Sequence, residues 1–533
     1  MDDDRGEDHE TLKPPISSIL YLTPIASGGG LVFGYYVGFI TARFGVLSDI
    51  GSILHDTIRT GLVGAIFGAA AGGWTNDFVG RKRSILIADS LIFIGALVLA
   101  LLLFRGGSGL FSNYFLETFG NMFIGSGVGM ASMTSPLYIS ESSPPKLRNI
   151  FVSIDFIFYG LGKFAFSYIY NDPNRTTNYI ALAGIAALSQ FFLLMPFPES
   201  PMWLYKKDRE DDAIKALRKM YTCSEVDKEF DAFGLLIRSE TSNEDELRYY
   251  SSSIFSKLRS AWSSPSLRKQ FVVGTALQVV QQLVGINALT YCMPSIHWMS
   301  GFGPLDPRDN MLLTMSNLLI CFGLLSVFGS FCCTLCLMER FGKKKMLIWS
   351  TYCVLAVLLG LSFIFIVSPN TTDVSSQFES TIHIRNNTCS SYLATPDADS
   401  WNCLTCLRTS SGCVFSSGTP EDNLGQFSVE TSVTSRTCYD PLTLPVTFVF
   451  FILVFSCSLE ILPWIMNSQM YPTEVRGVYG GTAAVANWTF FLIVIIFYFI
   501  LTKSQGPLFT FLLISLLSFF VSLFIKSFVP ANI

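Results

Sequence analysis

The chain has 533 residues, of which 50% are hydrophobic and only 14% are charged, with a mean hydropathy of +0.45. A soluble domain is about 25% charged, so this composition excludes a soluble globule and a disordered chain. The net charge of −4 is small, and the acid excess lies in the N-terminal tail, which argues against a nucleic-acid partner.

Twelve apolar runs are long enough to span a bilayer. They lie at 20–44, 60–76, 84–104, 112–138, 150–171, 179–197, 271–296, 310–337, 346–367, 443–468, 478–501 and 507–528. An acidic tail at 1–18 precedes them, and a charged, amphipathic linker at 201–270 separates a six-helix half at 19–200 from one at 271–533. Lys and Arg concentrate after the second, fourth and eighth runs, which predicts that both termini are cytosolic. The expected class is an all-α membrane protein.

An insertion at 368–441, between the ninth and tenth runs, is predicted to lie outside the cytosol. It contains five cysteines and two glycosylation sequons: Cys389, Cys403, Cys406, Cys413, Cys438, Asn370 and Asn386. In an oxidising compartment this cluster predicts a small disulfide-bonded module, whose partner is unknown. A zinc site is the alternative for Cys403 and Cys406, although no histidine follows closely.

No cofactor or metal site is expected elsewhere, and the four histidines lie far apart, without metal spacing or a nucleophile motif. The sequence therefore argues against an enzyme.

Two short motifs occur in both halves of the chain. Each combines an acid or amide with a glycine or proline and with cations at the same spacing. The segment from Asp77 to Lys82 recurs from Glu339 to Lys344, and the segment from Glu141 to Arg148 recurs from Gln469 to Arg476. Duplicated halves are typical of carriers that bind substrate between them near the membrane mid-plane. Charged groups at these helix ends are candidates for a cytoplasmic gate, with simple positive-inside charge as the alternative. The candidates are Asp77, Arg81, Glu141, Arg148, Glu339, Arg340, Gln469 and Arg476.

Several motifs together resemble the sugar porter family of the major facilitator superfamily, and within it the plant inositol transporters. They are GGWTNDFVGRKRSILIAD (72–89), GVGMASMTSPLYISESSPPKLR (127–148), PESPMWL (198–204), QVVQQLVGINALTYCMP (278–294), ERFGKKK (339–345), WNCLTCLRTSSGC (401–413) and PWIMNSQMYPTEVRG (463–477). The resemblance implies a twelve-helix fold of two pseudo-symmetric halves. It also implies proton-coupled uptake of myo-inositol or a related neutral polyol by alternating access.

Polar side chains follow one face of the seventh run: Gln278, Gln281, Gln282, Asn287 and Tyr291. Amides both donate and accept hydrogen bonds, as hydroxyl groups do, so this face is a candidate polyol site. Polar contact between helices is the alternative.

The resemblance implies that three of these amides, those of Gln281, Gln282 and Asn287, bind sugar. It also implies that Trp464 and Trp488 supply ring surfaces, while plain packing is the alternative for both.

Four positions at the proton site and the substrate cavity depart from the family pattern. Tyr36 and Asn121 replace the acid and the arginine of the standard proton site, so proton coupling becomes doubtful. Lys163 and Glu460 replace two neutral residues at the substrate cavity, and because buried ions usually pair, we expect them to face each other.

Gln469 also replaces an acid, and Met202 replaces an arginine, which we expect to weaken the cytoplasmic gate. The sequence therefore predicts a multi-pass carrier of a polyol or sugar, with protons as a candidate second substrate. The alternative is a non-transporting sensor or a decayed paralogue. The plasma membrane is the expected location, with an internal membrane as the alternative.

Overall fold

The structure is a computed structural model. It describes residues 22–46, 56–104, 110–145, 147–170, 178–220, 226, 230–231, 234, 254–262, 264–285, 311–333, 337–367, 413–416, 426–429 and 443–530. Each of the twelve apolar runs overlaps a helix within these ranges.

The first half consists of six long helices. They are α1 (Gly28–Val46), α2 (Asp56–Phe78), α3 (Arg81–Phe104), α4 (Leu110–Ser142), α5 (Arg148–Tyr170) and α6 (Asn178–Leu194). Three short helices follow in the linker: α7 (Pro201–Lys206), α8 (Glu210–Met220) and α9 (Ile254–Ser260). The helices described in the second half are α10 (Pro265–Leu283), α11 (Met311–Cys332), α12 (Met338–Phe341), α13 (Lys343–Val367), α14 (Thr443–Ser456), α15 (Leu462–Gln469) and α16 (Arg476–Phe528).

Within the described ranges, five helical segments are both long and apolar enough to cross a bilayer, judged by length and composition alone. They are Arg81–Leu102, Arg148–Ile169, Lys343–Ile364, Arg476–Thr502 and Leu508–Phe528.

The two halves meet along two helix pairs, α2 against α16 and α5 against α11. Glycines allow α2 and α16 to approach closely. A Cβ on Gly73 would lie 3.0 Å from both the Gly477 carbonyl oxygen and the Gly481 Cα. Close backbone contact at small residues is a common means of helix association in membranes. Glycines therefore hold α2 and α16 together where the halves touch.

The tenth apolar run is not one continuous helix. α14 ends at Ser456 and α15 begins at Leu462, with Pro463 in the first turn of α15. Proline lacks a backbone N–H and therefore favours a helix start over a helix interior. The break places Glu460 and its backbone carbonyl inside the bundle.

The last two apolar runs form one helical stretch, α16, but this stretch reverses direction. The hydroxyl oxygens of Thr502 and Thr510 lie 3.1 Å apart, whereas eight residues of straight helix would advance about 12 Å. The chain therefore turns back between these two threonines.

A two-stranded antiparallel sheet lies within the cysteine-rich insertion, which the all-α expectation did not include. Its strands are β1 (Cys413–Ser416) and β2 (Gln426–Val429), with Cys413 opposite Val429. The other four cysteines of the insertion, Asn370 and Asn386 lie outside the described residues, so the disulfide and glycosylation predictions stay predictions.

Candidate substrate cavity and cytoplasmic gate

A cavity of about 50 Å³ lies between the two halves, lined mainly by aromatic rings and amides. At 10–15 Å³ for each water, this volume holds about four waters, which is less than a polyol ring needs. The lining residues are Phe33, Val37, Phe156, Tyr159, Gln281, Gln282, Phe322, Phe455, Glu460, Trp464, Asn487, Trp488 and Phe491.

Amides from α10 and α16 form one hydrogen-bonded group on the second-half wall. The Asn487 Nδ2 donates to the side-chain oxygens of Gln281 at 2.7 Å and Gln278 at 2.9 Å, and its Oδ1 accepts from Gln282 at 3.2 Å. We call these four residues the amide cluster. Because buried amides are costly without partners, each one fixes the orientation of the others.

The amide cluster also depends on the break between α14 and α15. Gln281 Nε2 donates to the backbone carbonyls of Leu459 at 3.0 Å and Glu460 at 2.9 Å. Both carbonyls lie in the interrupted segment, where the regular helical pattern of acceptors is lost. The break therefore orients the Gln281 amide at the edge of the cavity.

Aromatic rings from both halves form the apolar wall. The Phe33 ring centroid lies 4.7 Å from that of Tyr159, 5.4 Å from that of Trp488 and 6.0 Å from that of Trp464. The Trp488 indole N–H donates across the halves to the Ser132 hydroxyl at 3.3 Å. Rigid ring faces of this kind match the C–H faces of a polyol ring.

Lys163 and Glu460 meet between the halves, as the sequence predicts. Lys163 Nζ lies 2.5 Å from Glu460 Oε1 and 2.8 Å from the Ser326 hydroxyl. The same ammonium lies over the rings of Tyr159 at 4.3 Å and Phe322 at 4.4 Å. We call Lys163 and Glu460 the cavity pair.

The predicted substrate residues do not all line the cavity. Gln281, Gln282, Trp464, Trp488 and Glu460 do. Lys163 and Gln278 are buried and are not among the lining residues, and Gln278 accepts a hydrogen bond from Asn487. Asn287 and Tyr291 lie outside the described residues, so their role stays a prediction.

Sequence reasoning missed Asn487, the centre of the amide cluster. The available signal was a single asparagine next to Trp488 in an otherwise apolar run.

The standard position for a coupling proton holds no acid in this structure. Tyr36 is buried, its hydroxyl has no hydrogen-bond partner within the described part of the chain, and Asn121 donates to the backbone carbonyl of Glu117 at 2.8 Å. The small cavity beside them, of about 20 Å³, is lined almost entirely by apolar groups.

Buried charges join the ends of α2, α3, α4 and α16, where the gate was predicted. Arg81 binds Glu141 through two nitrogens, at 2.7 and 2.9 Å, and lies 3.9 Å from Asp77. Arg476 of the second half lies 3.7 Å from the Glu141 carboxylate. We call Asp77, Arg81, Glu141 and Arg476 the gate cluster.

Further groups support the gate cluster. The Ser200 hydroxyl donates to Glu141 at 2.6 Å, and Lys257 of α9 donates to Asp77 at 2.8 Å. Lys257 carried no signal in the sequence beyond its position in the charged linker. Both carboxylates of the gate cluster therefore have more than one partner.

Gln469 links the halves even though it replaces an acid. Its side-chain oxygen accepts from Lys343 at 2.8 Å, and its Nε2 donates to Asn149 of α5 at 3.2 Å. The amide thus contacts residues on both sides of the interface. A carboxylate has no N–H and could not donate the bond to Asn149.

The other predicted gate residues are placed differently. Arg148 begins α5, and Arg340 is exposed and forms no ion pair with a described residue. Met202, which replaces an arginine, contacts Arg476 Nη1 through its sulfur at 3.3 Å. The side chain of Glu339 lies outside the described residues.

Two linker-side residues add contacts that the sequence reasoning did not assign. The Glu199 carboxylate accepts a hydrogen bond from the backbone N–H of Lys82 at 2.8 Å. This bond satisfies a donor that has no partner within the first turn of α3. Lys206 donates to the backbone carbonyls of Thr473 at 2.9 Å and Glu474 at 3.0 Å. Burial lowers the pKa of the Lys206 ammonium. The signal for Glu199 was its place in the PESPMWL motif.

Comparison with known proteins agrees with this architecture. The sequence family described as "Sugar (and other) transporter" matches residues 22–382 and 441–532, which leaves out most of the cysteine-rich insertion. The chain is 35% identical over 540 residues to Probable inositol transporter 2 of Arabidopsis thaliana, covering 96% of this chain and 89% of that protein. It is 28% identical over 510 residues to the Proton myo-inositol cotransporter of Homo sapiens, covering 90% and 74%.

Among solved structures, the proton:xylose symporter XylE of E. coli, bound to a bromo-deoxy-glucose, matches with a TM-score of 0.66 at 21% identity, covering 96% of each chain. This match shows the fold of a major facilitator sugar porter. Two helical halves around a buried cavity lined by aromatic rings and amides, with this fold, define an integral membrane transporter and not an enzyme. The chain belongs to the sugar transporter family of that superfamily.

Proposed function

We propose that this protein moves myo-inositol or a related polyol, together with protons, across a membrane by alternating access of the central cavity. The observation that carries the proposal is the amide cluster beside ring surfaces from both halves. Support for the substrate comes from the relatives, which are named as inositol transporters and as a proton myo-inositol cotransporter.

The chemistry of the cavity suits a neutral ring that bears many hydroxyl groups. Each hydroxyl donates and accepts, so it can replace one amide-to-amide hydrogen bond with two bonds of its own. Exchange of one hydrogen bond for another costs little free energy, whereas an unpaired amide costs about 1–3 kcal/mol. The polyol would therefore enter by exchanging partners with Gln281, Gln282 and Asn487.

Substrate entry also requires the cavity to grow, because about 50 Å³ does not hold a polyol. The ion pair of Lys163 and Glu460 joins the halves inside the bundle, and the gate cluster joins them at one end of it. Separation of the halves at one end and then the other would open the cavity to each side in turn.

We also propose an orientation of the chain in the membrane. Both termini and the linker at 201–270 would face the cytosol, the insertion at 368–441 would face outside, and the plasma membrane would be the location. The abundance of Lys and Arg beside the gate cluster supports this orientation.

A transport assay with Asn487→Leu tests the proposed site. In transporter-deficient cells, we expect labelled myo-inositol uptake by the native protein, and a rise in KM of tenfold or more for the variant. The matched control is Gln190→Leu, which removes a buried amide that donates to the Ala26 backbone carbonyl, just before α1, and does not line the cavity. This control should change surface abundance more than KM.

An unchanged KM for Asn487→Leu at confirmed surface expression would contradict the site. Binding of labelled polyol without uptake by the native protein would favour the sensor alternative. We favour transport because the relatives described above are transporters.

A further inference from the structure

The position where sugar porters are expected to take up a proton has no group that titrates near neutral pH. Tyr36 is a phenol, whose ordinary pKa is about 10, and Asn121 does not ionise. If the proposed proton symport holds, another buried carboxylate must accept the proton. Three candidates are described inside the bundle: Asp89, Asp155 and Glu460.

Glu460 differs from the other two in its position. It lines the cavity, where its protonation can respond to the substrate, and it contacts the opposite half through Lys163. Its second oxygen, Oε2, is buried and has no hydrogen-bond partner among the described residues. That oxygen is available to take a proton while Oε1 holds Lys163.

Asp155 and Asp89 each lie wholly within the first half. Asp155 of α5 accepts the backbone N–H of Gly30 in α1, and neither carboxylate oxygen of Asp89 in α3 accepts a hydrogen bond from a residue that the structure describes. Neither lines the cavity. A proton on either residue would change no ion pair between the halves among the described residues.

The groups around Glu460 set what its protonation would change. From α5 it meets Lys163 and Tyr159, and from its own segment Cys457, while α10 and α11 present the neutral side chains of Gln281 and Ser326. Lys163 is therefore the cation that balances the ionised carboxylate among the described residues. Protonation of Oε2 would leave this ammonium with Ser326 and two aromatic rings.

We propose that Glu460 is the residue that accepts the coupling proton, and that its protonation loosens the ion pair that ties the two halves together. This inference rests on the proposed function. A proton from the outer solution forms an O–H bond at Oε2, no other bond breaks, and the cavity gains one positive charge. Release of that proton to the cytosol restores the attraction to Lys163. Two states that differ in one contact between the halves provide the bistable element that coupling needs.

Proton flux in proteoliposomes tests the proposal. With a pH dye inside and an inward gradient of myo-inositol, the native protein should acidify the lumen. Glu460→Gln keeps a side-chain oxygen for Lys163 but cannot ionise. In this variant the number of protons moved per polyol, measured at whatever rate it moves labelled polyol, should fall at least tenfold.

Asp155→Asn is the matched control, because it removes another buried carboxylate of the bundle. We expect this variant to keep the native number of protons per polyol. Equal proton flux in Glu460→Gln and the native protein would overturn the proposal, as would loss of flux in Asp155→Asn alone. If Glu460→Gln fails to fold, Lys163→Met/Glu460→Gln removes both charges and should give the same loss of coupling.

A substrate-free measurement separates this inference from the proposed function. Infrared difference spectra between neutral and acid pH should show a protonated-carboxyl band that is present in Asp155→Asn and absent in Glu460→Gln. A native protein that moves no polyol would contradict the proposed function, while the infrared band would still decide whether Glu460 takes a proton. A band that persists in Glu460→Gln would overturn the assignment.

Discussion

The gate cluster and the cavity pair both place buried charges between the two halves, but they differ in how many partners each carboxylate has. Glu141 contacts Arg81, Arg476 and Ser200. Glu460 contacts only one cation, Lys163, among the described residues. The gate cluster is thus a network, and the cavity pair is a single interaction.

The difference suits the position of each group. At the end of the bundle, charges that separate can be solvated by water, so several partial contacts can form and break in turn. Inside the bundle a separated ion is poorly solvated, and breaking a buried pair by removing one partner costs about 3–5 kcal/mol. A single buried pair therefore behaves as a switch, whereas a network loosens gradually.

The largest expected effect is on stability after Lys163→Met, which leaves Glu460 without its cation. We expect a loss of about 3–5 kcal/mol, visible as a lower melting temperature in detergent. Lys163→Met/Glu460→Gln should recover most of that loss, because the double variant buries no unpaired charge. Additive losses for Lys163→Met and Glu460→Gln would show that the two side chains do not interact.

A smaller effect is expected for Arg81→Gln, because Glu141 keeps Arg476 and Ser200 while Asp77 keeps Lys257. Loss of the charged hydrogen bonds should cost about 1.5–3 kcal/mol, and cytosolic labelling of a cysteine introduced into the cavity should increase. The matched control is Arg83→Gln, an exposed position on the same helix, which should shift stability by less than about 0.5 kcal/mol. Equal effects of the two variants would refute the role of the gate cluster.

The smallest effect is expected for Gln469→Glu, which restores the acid of the family pattern. A carboxylate would pair with Lys343 but lose the bond donated to Asn149. An ion pair at this partly exposed position should contribute about 1 kcal/mol or less, so cytosolic labelling should decrease by less than tenfold. Gln469→Ala, which removes both contacts, should increase the labelling instead. A decrease with alanine would mean that Gln469 does not help to close the gate.

Much of the fold follows from local sequence, because hydropathy over about 20 residues reports whether a segment can lie in lipid. Each of the twelve apolar runs contains a described helix, and the duplicated gate segments lie at helix ends. The break at Glu460 was not predicted, since residues on both sides are apolar and only Pro463 marks it. The strands at Cys413 and Gln426 were missed as well, because four-residue strands carry little periodicity.

The candidate site was predicted in part. Motif positions identified Gln281, Gln282, Trp464 and Trp488, and all four line the cavity. The contact of Lys163 with Glu460 was expected from the cost of unpaired ions in a membrane, and the structure shows it at 2.5 Å.

By itself the sequence determined that this protein is a duplicated, membrane-embedded carrier, because composition, hydropathy and repeated motifs are properties of neighbouring residues. Only the tertiary structure decided which distant groups meet: Asn487 with the glutamines of α10, 205 to 209 residues away, and Lys257 with Asp77, 180 residues away. Periodicity shows which face of a helix is buried. It does not show which helix covers that face, since that choice depends on how all the helices pack at once.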